Sequence, residues 1–145
     1  MRHASISLTM VLCVTLLGCT SEPKNKVEGT WKLVAGTAKN ADTTIDYASI
    51  HFSGMKMFSG NHWMFVGRHV RNNDTIAMYG GGNFTLEGIN YLEFPLYHQH
   101  RPWVGDTIPW EIRLTNDTLI QNGPLKIGKY QDNSWEQYEV WVRMK

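Results

Sequence analysis

An all-β fold, an eight-stranded antiparallel up-and-down barrel, is the class the sequence predicts, and three observations predict it. Beyond residue 26, no segment keeps a helical apolar period for three turns. Runs rich in β-branched and aromatic residues recur instead, separated by turn chemistry at Arg71–Thr75, Gly88 and Asn116-Asp117. The links between runs are short, which favours antiparallel neighbours in chain order. Eight such strands closing on themselves remove both edges and leave an interior for side chains or one small ligand. A two-sheet sandwich is the competing architecture.

Each run has its own pattern. Val27–Gly36 sets Val27, Gly29, Trp31, Leu33 and Ala35 on one face against Glu28, Thr30 and Lys32. Tyr47–Gly60 follows a polar loop, and Asn61–Val70 and Thr75–Gly88 come next. Within the latter, "YGGGNF" is Gly-rich, but no helical pattern follows it, so a close backbone approach in a strand fits better than a phosphate cradle. Ile89–Gln99 precedes a break at Pro102–Asp106. Asp106–Asn116 alternates clearly, with Ile108, Trp110, Ile112 and Leu114 opposite Glu111 and Arg113. Thr118–Gly123 and Ser134–Lys145 close the series.

Before the first strand stands "MRHASISLTMVLCVTLLGCTSEPKNK". A basic start at Arg2 and His3 leads into an apolar run that ends at Leu17, well short of the ~20 residues of a membrane-spanning helix. Leu16-Leu17-Gly18-Cys19 resembles a bacterial lipobox. The resemblance implies a signal peptide over 1–18, acylation of Cys19 (palmitate among the chains), a tether over 19–26 and a barrel domain over 27–145. Several acyl chains would supply the anchoring that one cannot. Cys13 would leave with the signal, so the mature domain would hold no disulfide. Thr20 in place of an aspartate implies an outer-membrane lipoprotein in the cell envelope, facing the periplasm.

The chain carries 14 basic and 13 acidic residues, and setting aside Arg2 brings them level. No nucleic-acid partner is implied. No Walker loop, dinucleotide fingerprint, CxxC pair or HExxH is present, so no cofactor is expected.

Gly29-Thr30-Trp31 on the first strand and Arg143 on the last resemble the barrel-closing signature of lipocalins and wider calycins. In a closed meander the last strand meets the first, and the guanidinium can lie flat on the indole. Glycine two residues before the tryptophan would leave room for the ring. "GTWKLV", "HWMFV", "GGGNF", "NYLEF", "QNG" and "EVWVR", in that order, are also similar to a small lipocalin-like lipoprotein family of Bacteroidetes-type bacteria. Val142 stands where that family has a basic residue.

Three residue sets could carry chemistry. His98 and His100 lie two apart near a strand end, a spacing that a metal could use, although zinc needs further donors. His51, Met55, Met57, His62 and Met64 are soft or borderline ligands, and methionine is also ordinary core filler. The third set, His62, Tyr91, Glu93, Trp110, Gln121, Glu139 and Trp141, stands mostly in the matched motifs, with Trp31 as a further wall. Facing inward, it would give an aromatic pocket with a few converging polar groups. The expected function is a non-catalytic, membrane-anchored module that binds a small hydrophobic or amphipathic molecule. Alternatives are a cofactor-free enzyme using Tyr91, Glu93 and Glu139 for proton transfer, and a filled barrel serving an envelope complex through its surface.

Overall fold

The structure, a computed structural model, describes residues 25–125 and 135–145. The signal-peptide reading and Cys19 therefore lie outside the described residues. The strands are β1 (Gly29–Lys39), β2 (Thr44–Asp46), β3 (Ser53–Ser59), β4 (His62–Arg71), β5 (Asp74–Glu87), β6 (Asn90–His98), β7 (Ile108–Thr115), β8 (Thr118–Leu125) and β9 (Trp135–Arg143). A 3-10 turn spans Arg101–Trp103.

All pairings are antiparallel. The eight long strands run β1-β3-β4-β5-β6-β7-β8-β9, and β9 pairs back onto β1, so the sheet is a closed barrel. The short β2, which the sequence pattern did not resolve, pairs with the far half of β1 through Thr37 and Asp46. Tyr47–His51 is a turn rather than the beginning of β3, and it drops Tyr47 onto the barrel.

Closure comes from a specific pair of neighbours. Trp31 sits opposite Arg143, whose guanidinium carbon lies 4.2 Å from the indole centroid. The guanidinium also donates to the carbonyls of Glu28 (2.6 Å) and Lys26 (3.0 Å). The indole N–H of Trp31 donates to Val27 O at 2.8 Å. Gly29 has φ +125°, and a Cβ there would stand 2.7 Å from Arg143 Nη1. The glycine thus makes room for the guanidinium rather than for the indole, and it adopts a backbone that side chains resist. Around this end, Phe58, Phe84, Tyr91, Ile108, Ile112 and Leu119 fill the interior.

Two bulges change the face pattern read from simple alternation. The β1–β9 register shifts between Leu33 and Ala35, so Val34 is the extra residue. Beyond it the inward positions are Gly36 and Ala38, and Ala35 turns outward. The β5–β6 register shifts between Gly81 and Gly82, which leaves Leu96 unpaired. The face Tyr91, Glu93 and Pro95 points inward, the reverse of the apolar Leu92, Phe94 and Leu96 set, and the bulge returns His98 to it. β5 runs unbroken through Gly80, Gly81 and Gly82, all buried against neighbouring backbone or rings.

The methionines also face away from the expected core. Met55, Met57 and Met64 are exposed on the outer wall with Val34, Val66, Val142 and Met144. In β9, the inward face is Glu139 and Trp141, with Arg143 at the closed end.

Candidate ligand cavity

Opposite the closed end, the interior is hollow. A cavity of about 310 Å³ opens there, walled by Tyr47, Phe52, Trp63, Phe65, Trp103 and Trp141. Its polar positions include Lys56, Glu93, Gln121 and Glu139, which are buried, and Gln137, His98 and His100 nearer the rim.

The floor is built from alternation across four strands. Lys56 is inward because it shares a face with Phe58, and its exposed neighbours Met55 and Met57 take the other face. Its Nζ donates to Glu93 Oε1 at 2.7 Å and to Gln121 Oε1 at 2.8 Å. Tyr91 Oη donates to the same Glu93 oxygen at 2.8 Å. The ammonium also lies 5.4–5.8 Å from the ring centroids of Phe58, Trp63, Tyr91 and Trp141. A buried charge without such company would be too costly to keep.

Glu139 is placed beside Gln121 by the β8–β9 register. Its Oε2 accepts from the Trp141 indole N–H at 3.1 Å, and its Oε1 from Tyr47 Oη at a long 3.5 Å. Burial raises its pKa, and the Lys56 charge pulls in the opposite direction. Burial, reinforced by the neighbouring carboxylates, pushes the Tyr47 and Tyr91 hydroxyls well above the usual phenol range, so both stay protonated donors. The indole N–H groups of Trp63 and Trp110, both cavity residues, are buried with no acceptor among the described residues. In most folded proteins such donors are satisfied, so the two mark hydrogen-bonding capacity that the described residues leave unused.

At the rim, His98 stacks on Trp103 with ring centroids 4.3 Å apart, and His100 meets the same ring edge-on at 5.8 Å. His98 Nδ1 accepts from the His100 backbone N–H at 3.0 Å, and burial lowers the His98 pKa. Gly80 makes this position possible, because a Cβ there would lie 2.6 Å from the His98 ring. Among the described residues, no group of three or more His, Cys, Asp or Glu is placed to hold a metal. Of the second set, Met57, His62 and Met64 line one outer groove, Met57 pairing across strands with Met64, and all five of His51, Met55, Met57, His62 and Met64 are exposed.

Of the residues expected to touch a ligand, Glu93, Trp110, Gln121, Glu139 and Trp141 come together at the cavity. Tyr91 does not line it; the ring is wholly buried and reaches the site through Glu93. Trp31 is wholly buried in the closed end, and His62 is exposed at the start of β4, beside an outer groove with Gly29 and Met57. Sequence reasoning missed Lys56 and Tyr47. The lysine's one signal was its shared face with Phe58, and two flanking methionines argued for the opposite face. Tyr47 carried no signal, since it arrives by a turn.

No protein-family model and no curated protein matches the chain. Among solved structures, it is similar to the siderocalin Ex-FABP, described as functioning through dual ligand specificities. That match covers 83% of this chain and 75% of that one, at a TM-score of 0.49 and 10% identity. At that distance the likeness says nothing about ligand or residue roles, and the barrel rests on the strand pairing given above.

Proposed function

We propose that this chain is a non-catalytic binding protein that takes a small, partly aromatic or amphipathic molecule into the open half of its barrel. One observation carries the reading: the interior is packed solid at the Trp31–Arg143 end and hollow at the other. The hollow combines aromatic walls with a few convergent polar groups and has a volume at the lower end of the ~300–1,000 Å³ common for ligand pockets. A barrel that acted only through its outer surface would have no need of a buried ammonium and two carboxyl groups beneath a cavity. The lipocalin-like signature at Gly29, Trp31 and Arg143 supports the same reading. Glu93, Trp110, Gln121, Glu139 and Trp141 contact the ligand, and Tyr91 positions Glu93.

The lipobox-like sequence at Cys19 adds an anchor, placing the barrel on an envelope membrane, facing the periplasm. Metabolic labelling with palmitate would read this directly: the wild type takes label and C19A does not. Equal labelling of both, or of neither, contradicts the anchor.

Binding is tested by native mass spectrometry after incubation with a cell extract. The wild type is expected to retain a small molecule, and Gln137→Trp, which crowds the mouth, to lose it. A wild-type protein that retains nothing contradicts the reading.

A further inference from the structure

Resting on that reading, we infer that the bound molecule carries a positively charged amine on its apolar body, and that the amine nitrogen docks on Glu139. The argument is a charge count inside the cavity. Among the described residues, the charged lining is one lysine and two glutamates, with His98 and His100 nearer the mouth. Lys56 and Glu93 form a direct pair at 2.7 Å, and both side chains are about 95% buried, so this pair is internally neutral. Glu139 has no cation of its own among the described residues. Its hydrogen bonds come from two neutral donors, an indole and a phenol, and the phenol contact is stretched to 3.5 Å.

The Lys56 charge also acts on Glu139, but its ammonium is bonded to Glu93 and Gln121, and a second carboxyl group with no cation in direct contact is an expensive thing to bury. A cationic guest removes that expense when it arrives. The walls suit the same guest. Tyr47 and Trp141 both contact Glu139, Phe52 stacks on Tyr47 at 4.6 Å, and Phe65 meets the Trp141 ring edge-on at 6.2 Å. An ammonium on Glu139 would therefore sit among ring faces that attract cations, and an aromatic body would fill the space above. A carboxylate guest would meet the opposite: net negative charge close by, with the lysine already engaged by Glu93 and Gln121.

Three probes sharing one skeleton separate these cases: 1-naphthylmethylamine, 1-naphthalenemethanol and 1-naphthoate, titrated calorimetrically into the full chain at neutral pH. The amine is expected to bind at least about tenfold more tightly than the alcohol, and naphthoate more weakly than either. In Glu139→Gln the advantage of the amine over the alcohol should shrink to within about twofold, with alcohol affinity retained. The wild-type ranking stands even if that variant folds poorly. Binding in which the alcohol or naphthoate matches the amine overturns the amine assignment and leaves the binding reading intact. Failure of all three probes, together with an empty protein from the extract experiment, overturns both.

Discussion

Lys56 is the residue on which the interior turns. Its ammonium is held by Glu93, Gln121 and surrounding rings, and it is out of reach of bulk water. Removing one member of such a pair leaves an uncompensated charge, at a cost of about 3–5 kcal/mol. Lys56→Met should therefore lower stability in urea by about that amount. The double variant Lys56→Met with Glu93→Leu should recover much of the loss, because the buried charge goes with its partner. A double variant whose loss equals the sum of the two single losses would mean that the pair is not coupled. Glu139 gives a pH signature of opposite sense to most carboxylates. Its folded-state pKa is raised above the ordinary 4.5, so the folded protein holds this proton more tightly than the unfolded chain. Its contribution to stability is full below about pH 4.5 and is lost as pH rises through the raised value. Glu139→Gln should accordingly gain stability relative to wild type as pH rises from 4.5, with the two curves converging in acid. Urea midpoints across that range measure it, and a constant gap between the curves contradicts it.

Two elements carry the shape of the site. The β1–β9 seam closes the barrel, and its Arg143 caps two carbonyls while covering Trp31. Arg143→Met keeps the length of the stem but loses these contacts, and a loss of about 2 kcal/mol in thermal or urea unfolding is expected. Gly29→Ala should cost about 1–3 kcal/mol through its positive φ and its approach to the guanidinium. No change in either variant would remove the seam from the account. The β6 bulge at Leu96 is the second element, since it turns His98 back to the cavity rim. The alternation on β7 was legible in the sequence because no bulge interrupts it, and Ile108, Trp110 and Ile112 are buried as their spacing implies. The inward face of β3 was not legible, and on β6 the inward Tyr91 and Glu93 were legible from the matched motifs rather than from apolar alternation. There the apolar residues Met55, Met57 and Leu96 stand outside while Lys56 and Glu93 stand within, an inversion that only the pairing of distant charges can stabilise.

At the scale of the whole molecule, the sequence carried the architecture better than the site. Strand order and closure follow from short links and from a first and last strand that fit one another. The cavity depends on contacts between residues far apart in the chain, such as Tyr47 with Glu139 and Lys56 with Gln121, and no local spacing announces those. The barrel that results has two ends with different physics, one packed solid and one hollow over a charged floor. The tryptophans sample both ends, which makes them reporters. Indole N–H resonances in a ¹⁵N-labelled protein, recorded while 1-naphthylmethylamine is added, test the division directly. The account predicts that Trp63, Trp103, Trp110 and Trp141 shift together and saturably, while Trp31 stays in place. A titration that moves Trp31 as much as the other four, or leaves all of them unmoved, contradicts it.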